Sequence, residues 1–271
     1  MPMKPLKRAL LGMGLACGGF AGAQAAPVTF TWTPMDASPP LAGGAIVNAT
    51  NFNVADFANI AINNSTGDFS ESGALRVKPN FLNGGTTVAT PGLGTTYALF
   101  FTFTGTGTET LPIPTTTGGV STGTFSSLNY TLWAKNGTNP NVDVTTNPVT
   151  LTNTTGAFVL GTGTLVDGQT SLQKVTNGYS PTANLDLTFS AAAGESGFFT
   201  SPPPADLNLV ISNFSASSSV TTLVPGEGTS HLEINGGGGN LTFETVPEPA
   251  SLVLLGSGLL GLGLVVRRRK A

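Results

Sequence analysis

The stretch Tyr97-Ala98-Leu99-Phe100-Phe101-Thr102-Phe103-Thr104 is the most apolar segment in the central part of the chain. It is rich in aromatic residues and ends in an alternation of phenylalanine and threonine, a pattern typical of β-strands. An alternation with a period of two places successive side chains on opposite faces of a sheet, so phenylalanine would face a core and threonine would face solvent. We expect this stretch to form a central strand.

Comparable alternation recurs along the chain and predicts further strands. These are expected at residues 28–33, 128–133, 185–189 and 207–211, with shorter ones near 74–77, 149–151, 158–165, 231–234 and 240–246. Glycine, proline and asparagine clusters separate them, and the central part has no long segment of helical period. Many strands without alternating helices predict an all-β fold with an antiparallel β-sandwich or jelly-roll-like core.

The N-terminus has the three parts of an export signal. Lys4, Lys7 and Arg8 give a positive start, residues 9–20 are apolar, and Ala23-Gln24-Ala25 places small residues at the positions that signal peptidase reads. We expect cleavage after Ala25. A retained membrane anchor is the alternative interpretation of the same segment.

The C-terminus has a second tripartite segment. Pro247-Glu248-Pro249 precedes an apolar run at 250–266, which is 17 residues long, and the run is followed by Arg267, Arg268, Arg269 and Lys270. A run of this length is at the lower limit for a hydrophobic transmembrane helix, and the basic cluster should remain cytoplasmic. Since the N-terminal basic residues are also cytoplasmic, the segment between the two ends should lie across the membrane.

The tripeptide Pro247-Glu248-Pro249, the apolar span and the basic tail together resemble the PEP-CTERM sorting signal. The resemblance implies that an exosortase recognises and removes this tail, and that the host is a Gram-negative bacterium that makes exopolysaccharide. It predicts three segments, namely a signal peptide at 1–25, an extracellular β-rich domain at 26–246 and a sorting signal with a transmembrane helix and basic tail at 247–271. An ordinary C-terminal membrane anchor is the alternative interpretation.

A second resemblance covers most of the segment between the two ends. The progression runs from Gly67-Asp68-Phe69 through the opening stretch to Gly197-Phe198-Phe199. It is similar to the flocculation-associated PEP-CTERM proteins of floc-forming bacteria, which implies a role in holding cells in the exopolysaccharide matrix. One departure is Pro203-Pro204-Ala205-Asp206, where that family would have a more aromatic stretch.

Charge and cysteine content exclude several classes of function. Seven of the eleven Lys and Arg residues lie in the two terminal segments, whereas thirteen of the fourteen acids lie in 26–246, so that segment has a net charge near −9. Nucleic-acid binding requires basic patches that neutralise phosphates, and we therefore expect none. The single cysteine, Cys17, lies in the export signal, so 26–246 has no disulfide and no thiol nucleophile.

Catalytic and metal-binding sets are weak in this sequence. His231 is the only histidine, and no Gly-x-Ser-x-Gly elbow is present. His231 and Glu233 would share one face of a strand, but one histidine with a single acid is a poor zinc site. Calcium binding is an open possibility, with Asp143 and the Asp167-Gly168 turn as candidate ligand positions. We expect no catalytic residues and no required cofactor.

Two further sets of side chains could act on carbohydrate. Glycoside hydrolysis would need a pair of acids, and stacking on sugars would need exposed tryptophan or tyrosine. The acid candidates are Asp68, Glu71, Asp167, Asp186, Glu195 and Asp206, and the aromatic candidates are Trp32, Trp133, Tyr97, Tyr130 and Tyr179. Packing in a core is the alternative role for the aromatic residues.

These observations predict a non-enzymatic, exported surface or extracellular matrix protein. It would be processed by signal peptidase and exosortase, would be held transiently in the inner membrane, and would associate with exopolysaccharide to promote cell aggregation in flocs or biofilms. The alternative is a secreted carbohydrate-binding module or a carbohydrate-active enzyme that acts on exopolysaccharide.

Overall fold

A computed structural model of the protein describes residues 28–44, 46–83, 86–89, 91–203, 207–215 and 228–245. These residues form fifteen strands and one short 3-10 helix, Pro34–Asp36. The strands are β1 Phe30–Trp32, β2 Ile46–Ala49, β3 Asn51–Asn63, β4 Asp68–Asn83, β5 Thr86–Ala89, β6 Tyr97–Glu109, β7 Val120–Asn136, β8 Asn141–Asp143, β9 Thr150–Thr152, β10 Phe158–Val175, β11 Gly178–Thr188, β12 Ser190–Ala191, β13 Phe199–Ser201, β14 Leu207–Ser215 and β15 Thr229–Thr245.

Eight of these strands form one curled antiparallel sheet that closes on itself. Hydrogen-bonded neighbours follow the order β3, β4, β6, β7, β10, β11, β14 and β15, and β15 then pairs with β3. This order is also the order of the eight strands along the chain. The short strands β5 and β12 extend the sheet locally, by pairing with β4 and β10.

The alternating sequence pattern sorts side chains between the inside and the outside of this closed sheet. In β6, Leu99 and Phe101 belong to the buried core, whereas Thr104, Thr106 and Thr108 are exposed. The same division continues in the neighbouring strand β7. The interior is therefore apolar and aromatic, and threonine covers much of the outside, as the opening stretch of sequence predicts.

A cluster of aromatic rings fills one end of the interior. The small sheet β13-β1-β2 contributes Phe30 and Trp32, both completely buried, and Phe30 meets Phe52 of β3 and Phe243 of β15 with ring centroids 5.0 and 4.9 Å apart. Phe199 of β13 lies 5.4 Å from the same Phe243 ring. These edge and tilted contacts join the small sheet to the first and last strands of the closed sheet.

A short hairpin, β8-β9, covers part of the outer surface. The side-chain amide of Asn59 donates to the carbonyl of Val144 at 2.9 Å, and the backbone N–H of Val149 donates to Oγ of Ser72 at 3.0 Å. Lys135 is buried beside this hairpin and donates to the carbonyl of Asn153 at 2.7 Å. The hairpin thus lies over β3 and β4 and leaves outward-facing threonines of β6, β7 and β10 exposed.

The predicted all-β antiparallel fold is confirmed, and the predicted central strand lies in β6. The structure also differs from the sequence-based expectations. The two strands predicted near 231–234 and 240–246 are one strand, β15, and β3 was not predicted. The predicted signal peptide, C-terminal helix and Asp206 lie outside the described residues. No helix within the described ranges has the length and hydropathy needed to cross a membrane.

Glycine on the inner face lets aromatic rings lie directly against the strands. A β-carbon at Gly161 would approach the Phe189 ring to 2.6 Å, and one at Gly163 would clash with the Tyr130 ring and with the carbonyl oxygen of Thr188. Tyr130 also donates its hydroxyl proton to that same carbonyl at 2.6 Å. The Thr-Gly alternation therefore has a structural reason, with threonine outside and glycine under a ring.

We expect Gly163→Ala to destabilise the protein by about 1–3 kcal/mol, because the new methyl group displaces the Tyr130 ring in a packed interior. Gly238→Ala is the matched control, since a β-carbon at Gly238 of β15 has no atom within 4 Å. The control should change the free energy of unfolding by less than about 0.5 kcal/mol. Urea denaturation measures both, and equal effects would contradict the packing argument.

Candidate functional site

The outer surface of β6, β7 and β10 carries a continuous set of uncharged polar side chains. We call it the hydroxyl face. Its members are exposed, and they are Thr104, Thr106, Thr108, Thr122, Thr124, Ser127, Asn129, Thr162 and Thr164, with Thr188 of β11 at its edge. Its regular arrangement follows from the alternation, which sends every second residue of each strand outward.

Strand register aligns these side chains in rows across the sheet. Thr104, Asn129 and Thr164 occupy one row, because β6 pairs with β7 and β7 pairs with β10 at those positions. The hydroxyl oxygens of Thr106 and Ser127 are 2.8 Å apart in the next row, and those of Thr164 and Thr188 are 3.2 Å apart. Each side chain in these rows can both donate and accept hydrogen bonds, and none of them is charged.

The interior contains three acidic residues that sequence reasoning did not bring together. Asp56 of β3 and Glu71 of β4 line one cavity, and Glu109 of β6 lines a smaller cavity that also includes Glu71. Among the described residues that line either cavity, none is Lys, Arg or His. The sequence does contain a signal for Asp56. It alternates along β3 with Val54, Ala58 and Ile60, so it lies on the same inward-facing side of the strand as these apolar residues.

Burial controls the protonation of these acids. It raises the pKa of Asp56 to about 7, against a smaller opposing effect from a hydrogen bond to the backbone of Phe57. Burial, with the nearby charge of Asp56, raises the pKa of Glu71 to about 8. Burial also raises the pKa of Glu109. Desolvation favours the neutral form of each acid.

The carboxyl group of Glu71 is desolvated although the residue as a whole is only half-buried. Glu71 lines both cavities, so part of its side chain borders internal space. The acid is therefore surrounded by apolar side chains while still facing an internal space.

The structure separates most of the acids considered for glycoside hydrolysis. Asp68 and Glu71 lie on opposite faces of β4, where exposed Asp68 accepts a hydrogen bond from Thr66 Oγ1 at 2.7 Å. Glu195 is buried and accepts from the backbone N–H of Ser38 at 3.1 Å. Asp167 and Asp186 do meet, directly opposite each other across β10 and β11, and both are exposed.

The aromatic candidates for sugar stacking are placed by the structure. Trp32, Tyr97, Tyr130 and Tyr179 are buried in the core. Trp133 is half-buried on the outside, where it stacks on Phe100 at 6.3 Å and donates to Oγ1 of Thr102 at 2.9 Å. These five are all the tryptophan and tyrosine residues of the chain, so they form no exposed row. For four of the five, packing in the core is the role that the structure supports.

The metal-ligand candidates have local partners. His231 is exposed and its Nδ1 lies 3.4 Å from Oδ1 of Asn59, and Glu233 lies two residues further along β15. Oδ1 of Asp143 accepts from the backbone and hydroxyl of Thr145, and Oδ1 of Asp167 accepts from the backbone of Gly168. Within the described ranges, no three histidine, cysteine or acidic residues are grouped as a metal site would require. Calcium binding stays a prediction.

Comparison with known proteins bears on the C-terminal segment. A family model of the PEP-CTERM protein-sorting motif matches residues 245–270. Searches among curated proteins and among solved structures each give no match. The chain therefore belongs to the class of exported proteins that carry a C-terminal sorting signal. Its residues 245–270 carry the PEP-CTERM sorting motif, which implies export, targeting to exosortase and a transient anchor in the membrane.

The matched range includes every residue predicted to act in sorting, all of which lie outside the described residues. They are Pro247, Glu248, Pro249, Arg267, Arg268, Arg269 and Lys270. Their individual roles stay predictions, as does cleavage at Ala23-Gln24-Ala25. The motif begins at Thr245, which is also the last residue of β15, so the sorting signal follows the closed sheet directly.

We expect the protein to lose stability as pH rises from 5.5 to 8.5. The unfolded chain releases the protons of Asp56 and Glu71 at ordinary acid pKa values, whereas the folded protein keeps them until pH approaches 7 and 8. The folded state thus binds more protons up to those pH values. Unfolding becomes easier by on the order of 1 kcal/mol per pH unit for each acid until pH reaches about 7 for Asp56 and about 8 for Glu71, above which the effect of that acid levels off.

The double variant Asp56→Asn, Glu71→Gln removes both acids and should flatten this pH dependence of stability. Asp68→Asn, an exposed position on the same strand as Glu71, should leave it unchanged. Chemical denaturation at several pH values measures the effect. A double variant with the same pH slope as the original protein would show that other groups cause it.

Proposed function

We propose that this protein is a non-enzymatic component of the extracellular matrix that binds exopolysaccharide and promotes cell aggregation in flocs or biofilms. The observation that carries the proposal is the hydroxyl face on a protein with a PEP-CTERM motif. The resemblance to flocculation-associated proteins supports the same role. The final location would be the cell surface or the matrix, after exosortase has removed the tail.

The chemistry of the hydroxyl face suits a neutral or weakly charged polysaccharide. Its threonine, serine and asparagine side chains both donate and accept hydrogen bonds, as sugar hydroxyl groups do. Each such bond exchanges with water and contributes only about 0.5–1.5 kcal/mol, so useful affinity requires many contacts along an extended polymer. A regular array over three strands offers that repetition.

The interior supports the non-enzymatic role over a glycosidase. Asp56 and Glu71 share an aromatic-lined space, but its volume is about 60 Å³, less than half of the roughly 150 Å³ that accommodates benzene. A sugar ring with its hydroxyl groups does not fit there. Asp167 and Asp186 are exposed on the convex outside of the sheet, with no aromatic residue of the five placed beside them as a stacking platform.

Binding through the hydroxyl face can be tested with isosteric changes. The triple variant Thr104→Val, Thr106→Val and Thr164→Val keeps β-branched side chains that suit a strand while removing three hydroxyl groups. We expect its retention on purified host exopolysaccharide to fall about tenfold, in line with the loss of a few hydrogen bonds. Co-sedimentation measures the bound fraction.

Thr152→Val with Thr155→Val is the matched control, because both residues are exposed but lie near the β8-β9 hairpin, away from the hydroxyl face. The control should bind as the original protein does. Equal loss in both variants would indicate a general effect of lost hydroxyl groups. Unchanged binding by the triple variant would exclude this face as the contact.

The cellular role requires a separate test in the host. Deleting the gene should weaken flocs or biofilm, and the original gene should restore them, whereas normal aggregation in the deletion strain would contradict the role. Deleting the exosortase should leave the uncut protein in the membrane fraction, at a mass greater by that of the sorting tail.

A further inference from the structure

The larger of these two cavities combines acidic and aromatic side chains. It has a volume of about 60 Å³. Asp56 and Glu71 supply its two carboxyl groups, and Phe101, Phe103 and Tyr130 supply aromatic rings. The remaining lining is largely aliphatic. Because the cavity is much smaller than one that holds benzene, any guest is limited to a few non-hydrogen atoms.

Asp56 is a buried acid with an unsatisfied oxygen. The residue is 4% exposed, and its Oδ1 atom has no hydrogen-bond partner among the described residues. A hydrogen bond from the backbone of Phe57 favours the charged form of its carboxyl group, but burial outweighs that effect. A buried polar atom without a partner costs free energy, and such atoms in a folded protein often mark the place of a missing water, ion or ligand.

The lining discriminates between possible guests. Two carboxyl groups without a basic residue in the lining disfavour an anion. A calcium ion needs six to eight oxygen ligands, and this lining is mostly carbon. A small organic cation meets both features, because carboxylates pair with its charge and the faces of aromatic rings attract cations.

We propose that this cavity is a binding site for a small primary ammonium ion with a short alkyl group. The ammonium group would donate hydrogen bonds to Asp56 Oδ1 and to Glu71, and the alkyl group would pack against the aromatic rings. One positive charge balances one carboxylate, so binding releases about one proton to solvent while the second carboxyl group stays neutral.

Proton release gives the site a defined pH dependence. The groups that face the cavity and titrate are Asp56, Glu71 and Tyr130, with Glu109 in the adjoining smaller cavity. Burial raises the pKa of all four groups, so each keeps its proton to a higher pH than it would in water. A cation must displace a proton from one acid, so its affinity should rise up to about tenfold per pH unit below pH 7 and then level off.

The test is a titration of ethylammonium into the full chain, which is kept in detergent. The methyl resonances of Ile60, Leu75 and Leu187, which line the cavity, would report binding in an NMR titration. We expect saturable shifts with a Kd of the order of millimolar for so small a guest. Ethanol and acetate, its neutral and anionic analogues, should bind at least about tenfold more weakly, because neither balances a carboxylate. Hexylammonium, which is too long for the cavity, should shift none of these resonances.

Three variants locate the site. Asp56→Asn should weaken ethylammonium binding at least about tenfold, because one of the two carboxyl groups that pair with the ammonium is gone while Glu71 remains. Asp68→Asn, on the exterior, should bind as the original protein does. Ala183→Leu keeps both acids but fills part of the cavity, and should also abolish binding.

Several outcomes would overturn the proposal. They are equal affinity for ethanol, tighter binding at pH 5.5 than at pH 8, unchanged binding in Asp56→Asn, and the absence of saturable shifts at the cavity methyl groups, which would show that the cavity holds only water. If Asp56→Asn fails to fold, the pH profile and the Ala183→Leu variant still decide the question.

Discussion

The pairing of β15 with β3 is the interaction on which the rest of this structure depends. It joins the last strand of the described chain to the first long one, over nearly the whole length of both. Without it the sheet would be open, with β3 and β15 as free edges that expose unpaired backbone groups. Closure removes those edges and encloses the aromatic interior, the cavities and the buried acids.

Closure also has a kinetic cost. The two strands that close the sheet, β3 and β15, are far apart in sequence. Their pairing must therefore close a long loop that contains all the intervening strands. Folds dominated by such distant contacts form slowly, because loop-closure entropy is lost before the contacts compensate for it. The meander order reduces this cost elsewhere, since every other pairing in the closed sheet joins strands that follow one another.

Much of this fold could be predicted from alternation, and the failures have physical reasons. The aromatic and threonine pattern of β6 and β7 identified strands because large inward residues alternate with polar outward ones. In β3 the same alternation is hidden, because small alanine and polar asparagine residues occupy several positions, as at Ala58 and Asn59. The β8-β9 hairpin buries some of those polar residues on the outer surface of the sheet. No local sequence pattern in β3 predicts that the hairpin covers it.

Glycine misled the sequence interpretation for a related reason. Gly236 to Gly239 looks like a turn between two strands, yet β15 continues through it with an irregularity between Asn235 and Gly237. The candidate site was less predictable than the fold. The sorting motif is local in sequence and was identified directly, whereas the hydroxyl face and the acidic cavity exist only through strand register, which sequence spacing does not reveal.

The position of β15 has a mechanical consequence. This strand is hydrogen-bonded to β14 on one side and to β3 on the other, and in sequence it is followed by the segment that carries the sorting motif. Tension applied to the end of β15 along the axis of that strand would load both rows of hydrogen bonds in shear. Because bonds loaded in shear share the force instead of opening one after another, the closed sheet is suited to bear drag while its end is held.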